Sequence, residues 1–67
     1  MIHATLTPNE YAQLIRRRKG LKQSEVARMA GITRGLVTGF ESGRVRLSDR
    51  AVQRLEAALE VREGELR

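Results

Sequence analysis

Between Gln23 and Gly43 the chain reads QSEVARMAGITRGLVTGFESG. Apolar residues recur at helical spacing on both sides of Gly31, and only a tight turn fits between the two patterns. Val26, Ala27 and Ala30 form one small apolar face, and Val37 and Phe40 form another. Two short helices held this close must meet at a fixed angle and bury their stripes in a shared core. The second pattern also raises a question. It carries Gly35 and Gly39, and a glycine inside a helix costs about 1 kcal/mol against alanine.

The flanking sequence supplies further starts and stops. Thr7-Pro8-Asn9-Glu10 combines a capping threonine, a proline suited to the first helical position and a glutamate that completes a capping box. A first helix is predicted from Pro8 to about Arg18, with Tyr11, Leu14 and Ile15 inward and Gly20 as its stop. Its basic last turn suits the negative end of the helix dipole. The second helix spans Gln23 to about Ala30. Thr33 caps a third that runs to about Ser42, with Ile32 as its entry contact and Gly43 at its end. Residues 44–47 read as a loop. Ser48 caps a fourth helix to about Glu60, with Val52, Leu55 and Leu59 inward. A last turn over residues 62–66 packs Leu66 weakly. Ile2, Ala4 and Leu6 alternate with polar residues, so residues 1–7 read as a tail or a short strand ahead of a domain at 8–67. The expected fold class is all-α, five short helices around one core.

With 67 residues there is room for one small domain, which buries only roughly 60% of its unfolded surface. The absence of cysteine excludes disulfides and thiolate metal sites and fits a reducing compartment. No apolar run reaches the ~20 residues that span a bilayer, and MIHATLT is unlike a signal peptide, so no membrane role and a cytoplasmic location are expected. One histidine, no phosphate loop and no paired carboxylates leave no expected catalytic, metal or cofactor site. One Phe, one Tyr and no Trp are too few for stacking single-stranded bases. Net charge is +5, and it is uneven. Ten Lys and Arg between Arg16 and Arg50 face only Glu25, Glu41 and Asp49, whereas the residues from Ala51 onward carry three Arg and four Glu. A polyanion, nucleic acid first, is the expected partner of that basic region.

Two short helices around a glycine turn are a helix-turn-helix. Ala27 must be small where the second helix crosses it. Gly31 supplies a left-handed turn. Ile32 and Val37 lock the pair, so the third helix can enter a major groove.

The stretch LKQSEVARMAGITRGLVTGFESGRVRLSDRAVQRLEAALEV resembles the Cro/cI-type (Xre-like) helix-turn-helix family of phage and bacterial transcriptional repressors. The likeness covers roughly residues 14–66. It rests on the Leu21…Gln23 start, Ala27, Gly31, Phe40-Glu41-x-Gly43 and the closing apolar helix. It implies a lambda-repressor-like domain, bacterial or phage-encoded, that binds double-stranded DNA as a homodimer. Carried onto this chain, it implies that Gln23 touches a phosphate or the outermost base and that Thr33 caps the recognition helix beside a phosphate. Arg34 would lead base reading, and an arginine there can bond guanine O6 and N7 together. Gly35, Thr38 and Gly39 would fall on the remaining groove-facing positions. Leu36 would be either a groove-facing apolar contact or a partial core residue. Ser42, Arg44 and Arg46 would follow phosphates, and Arg16 and Glu41 would form a partly buried ion pair. Arg17, Arg18 and Lys19 read as dipole compensation and general field.

Gly39 and Leu36 depart from the family pattern, in which many relatives carry polar or basic residues at the first and Ser or Thr at the second. The expected reason for the glycines is close approach of the helix backbone to DNA. The dimer surface is expected at Leu59–Leu66, or at a strand formed by residues 1–7. A second reading is a protein-binding partner or antitoxin built on the same fold, which a stable DNA-free protein complex would reveal.

Overall fold

A computed structural model describes residues 6–67. Four helices follow one another: α1 (Pro8–Arg18), α2 (Gln23–Ala30), α3 (Arg34–Glu41) and α4 (Asp49–Leu59). Their starts obey local chemistry. Thr7 and Glu10 form the reciprocal capping box of α1, Thr33 Oγ1 accepts from the Leu36 amide, and Ser48 Oγ accepts from the Ala51 amide. Gly31 ends α2 with φ +70°, in the left-handed region where a side chain is strained.

Ala12, Val26, Phe40, Leu47, Val52, Leu55, Leu59 and Leu66 form one core, with Tyr11, Ile15, Leu21, Ile32, Leu36 and Val45 packed around it. α2 lies against both α3 and α4, and α1 closes the other side. On α1 the buried positions are Ala12 and Arg16, while Tyr11, Leu14 and Ile15 are half-buried. The small Ala12 lets α1 approach closely, and Arg16 is there for an ion pair described below.

The fold is all-α, yet the expected fifth helix does not form. Among the described residues there are four helices and no strand, and residues 63–66 make only a turn. Two left-handed residues explain this. Glu60 has φ +60° and Gly64 has φ +93°, and neither conformation continues a right-handed helix. The turn is tied down by a side chain instead. Glu56 Oε2 accepts from the amides of Gly64 (2.8 Å) and Leu66 (3.0 Å). Leu66 is 1% exposed, so it is a full core residue rather than a weak contact. The strand considered for residues 1–7 falls largely on residues 1–5, outside the described residues. Thr7 itself is extended, at φ −77° and ψ 160°, as the N-cap of α1.

Candidate nucleic-acid interface

The exposed side of α3 borders an open depression of about 520 Å³ lined by Arg34, Gly35, Thr38, Gly39, Ser42, Arg44 and Val45. Arg34, Gly35 and Thr38 lie on one helix face because they are one and four residues apart. No acidic side chain lines it, and Arg34 and Arg44 are its two charged lining residues. Thr33 sits at the start of the same helix, its hydroxyl engaged by the Leu36 amide.

Gly39 is buried, and its carbonyl is the anchor of the loop after α3. It accepts from the Arg44 amide (2.8 Å), the Val45 amide (3.0 Å) and Ser42 Oγ (3.1 Å). Val45 then lies directly over the glycine. A Cβ at position 39 would come within 2.8 Å of Val45 Cβ and would overlap its Cγ2. The glycine is thus needed inside the protein. It lets the loop carrying Arg44 and Arg46 fold back onto α3. Gly35 differs: a Cβ there would meet only Thr33 Oγ1 at 3.9 Å. Of the two glycines within α3, Gly35 is the one with its surface open for a close approach from outside.

A second groove of about 510 Å³ runs beside the first, lined by Gln13, Arg16, Arg17, Lys22, Gln23, Ser24 and Arg34. Arg34 borders both, so the two form adjoining parts of one basic surface. Arg16, which lines the second groove, is ion-paired with Glu41. Arg16 Nε donates to Glu41 Oε2 at 2.7 Å and Arg16 Nη2 to Oε1 at 3.0 Å, while Nη1 donates to the Leu21 carbonyl at 2.9 Å. The two side chains are 11% and 4% exposed. Buried this far, the pair is satisfied only because the geometry is two-pronged, and removing either partner leaves an isolated charge at a cost of about 3–5 kcal/mol. It joins α1 to α3. Asn9 adds a second tie, its Nδ2 donating to the Phe40 carbonyl. Gln23 connects the pair to the surface: its Nε2 donates to Glu41 Oε1 (3.0 Å) and its Oε1 accepts from Thr38 Oγ1 (3.0 Å).

This geometry, two short helices crossed at Gly31 with an uncovered basic face on the second, fits the comparison with protein families. The helix-turn-helix family model, of Cro/cI-like and Xre type, matches residues 13–66. The chain belongs to this family. No curated protein and no solved structure matches it significantly. Membership makes the chain a DNA-binding helix-turn-helix of a regulatory family, whose partner is double-stranded DNA.

Of the residues singled out from sequence, Arg34, Gly35, Thr38, Gly39, Ser42 and Arg44 come together in the first depression, and Gln23 joins Arg34 in the second. Arg46 lies farther along the loop, in a groove with Pro8, Asn9 and Asp49. Leu36 is half-buried and packs against the core. Sequence reasoning missed Val45, which covers Gly39, and it did not assign Gln13, Lys22 or Ser24 to the basic surface. Gln13 was legible in principle: it lies one helical turn before Arg16 and Arg17 and shares their face. Lys22 and Ser24 flank Gln23, at the start of α2, where backbone N–H groups and the helix dipole favour an anion.

Proposed function

We propose that the chain is a sequence-specific transcriptional regulator, a repressor, that binds a pseudo-palindromic operator as a homodimer in a bacterial cytoplasm. The observation that carries this reading is the acid-free depression on α3 lined by Arg34 and Arg44. α3 enters the major groove there. Arg34 and Thr38 face base edges, and Gly35 gives the groove wall room. Thr33, Ser42, Arg44 and Arg46 follow phosphates, joined by Gln23 and its neighbours Lys22 and Ser24 at the start of α2. Gly39 acts from within by holding the Arg44–Arg46 loop. No bond is made or broken in such a function; occupancy of a promoter is enough.

The homodimer follows from the sparse readout. Two base-facing side chains on one short helix cover only a few base pairs, too few to single out one site in a genome. Two copies on half-sites about 34 Å apart square the discrimination. Leu59 and Leu66 are each 1% exposed and belong to their own core, so a dimer contact at Leu59–Leu66 would use the residues between them. The alternative through residues 1–7 lies largely outside the described residues.

Selection of bound sequences from random duplex DNA, followed by affinity of the winner at two salt concentrations, tests the proposal. A two-fold-symmetric consensus bound far more tightly than random DNA is expected. Salt-sensitive binding without a consensus would make the basic surface a general grip and point to a protein partner as the source of function.

A further inference from the structure

The hydrogen-bond chain from Arg16 to Thr38 has a direction, and the direction is set by the buried end. Glu41 is held as a carboxylate by two bonds from Arg16, so it can only accept. The end of the Gln23 amide that lies 3.0 Å from Glu41 Oε1 must therefore be the NH₂ group. A flipped amide would set two acceptors against each other in a partly buried place. With Nε2 toward Glu41, the other end presented to Thr38 is the carbonyl oxygen, which also only accepts. The single proton of the Thr38 hydroxyl is thereby directed at Gln23, over 3.0 Å. A free threonine hydroxyl offers both a donor and acceptors. Thr38, exposed in the depression on α3, is left with acceptor lone pairs alone.

Resting on the proposed reading of α3 as the groove-entering helix, we infer that Thr38 discriminates bases as an acceptor only, with Gln23 as the residue that sets its polarity. In the major groove the donors are the exocyclic amines, N6 of adenine and N4 of cytosine, while N7, O6 and O4 are acceptors. Thr38 selects the orientation of a base pair that brings an amine to it. It is repelled by N7 or O6 at the same place, because its proton is unavailable and two sets of lone pairs would face each other. A threonine without the Gln23 contact would tolerate either. The proton of Gln23 Nε2 not used by Glu41 remains a donor, suited to a phosphate oxygen.

The test uses the full chain and its selected operator, with single bases replaced by analogues. Purine in place of adenine, or 2-pyrimidinone in place of cytosine, removes one exocyclic amine; 7-deazapurines remove N7. Dissociation constants are measured for the natural chain, Thr38→Val, Thr38→Ser and Gln23→Leu. At one half-site position, loss of the amine should weaken the natural chain and Thr38→Ser by about tenfold, the size of one hydrogen bond to a base edge. The same deletion should leave Thr38→Val unaffected. Gln23→Leu, which frees the hydroxyl to rotate, should relax the preference at that position while its other positions keep theirs. Coupling of Thr38 to a 7-deaza substitution, or to no analogue at all, would overturn the inference and leave the regulator reading standing. Failure of the natural chain to select any consensus would overturn both.

Discussion

Gly35 and Gly39 lie four residues apart on α3, and their environments make opposite demands. At Gly35 there is room for a methyl group, so Gly35→Ala should stabilise the free protein by about 0.5 kcal/mol through reduced unfolded-state entropy. Gly39→Ala should destabilise it, because crowding against Val45 costs about 1–3 kcal/mol and outweighs the gain in helix propensity. Thermal unfolding of both variants, with Val45→Gly added to Gly39→Ala, checks this. Strict additivity of the two substitutions would show that no contact connects them. A third side chain gives a pH-dependent signature. Glu60 is exposed, and the hydrogen bond from Lys19 Nζ (2.9 Å), together with the lysine's charge, holds its carboxyl below the ordinary carboxylate range. A lowered folded-state pKa contributes stability that is present above the unfolded value and lost as pH falls through the folded one. Lys19→Ala should therefore move the Glu60 titration upward toward its ordinary value when followed by NMR. An unmoved titration would mean the pair does not persist in solution.

The elements differ in how they are held. α1, α3 and α4 begin with hydroxyl caps that act within three residues, which is why their starts could be read from the sequence. The turn after α4 is secured from ten residues away by Glu56. Glu56 is 2% exposed; its Oε2 takes two amides and its Oε1 is buried without a hydrogen-bond partner. Glu56→Ala leaves the Gly64 and Leu66 amides unsatisfied and should cost about 1–3 kcal/mol, the penalty for burying a donor without its partner. Hydrogen exchange should locate the loss at the C-terminal turn, with the Leu66 amide losing its protection first. Retained protection at Leu66 would show that apolar packing alone holds the turn. The expected fifth helix is blocked by the left-handed Glu60 and Gly64; Gly64 was a local signal against it, whereas nothing local reveals that Glu56, ten residues from Leu66, takes the amides of the turn.

Across the molecule the positive charge gathers beside α3. The two grooves beside α3 carry Arg16, Arg17, Lys22, Arg34 and Arg44 with no acidic residue lining either. A hollow of about 200 Å³ at the other end of the chain is lined by Glu56 and Glu63 with Gln53, Ala57 and Val61. On the proposed reading, such a field would steer DNA toward α3 and set the salt dependence of binding. Arg34→Ala should cost about 1–3 kcal/mol of specific binding and relax choice at one base pair. Arg46→Ala should weaken all sequences alike and lower the salt slope by roughly one unit. Titrations of both variants against operator and random DNA at several salt concentrations would check the assignment, and an inverted pattern would exchange the two roles.

Much of the fold was determined by the sequence alone, because the forces involved are local. Capping groups reach three residues, apolar periodicity acts over one or two helical turns, and Gly31 imposes its turn by its own backbone. The basic balance and the helix-turn-helix pattern, which pointed to a DNA-binding family, were equally open to reading. What tertiary structure alone decided lies at contacts between distant residues. Val45 over Gly39 transferred that glycine's purpose from the DNA side to the loop. Glu56 reaching Leu66 replaced a helix with an anchored turn and buried the leucine. Arg16, Glu41 and Gln23, drawn from three helices, gave the Thr38 hydroxyl its direction. The acceptor-only carboxylate at one end gives that chain its polarity, and its members meet only when the three helices pack.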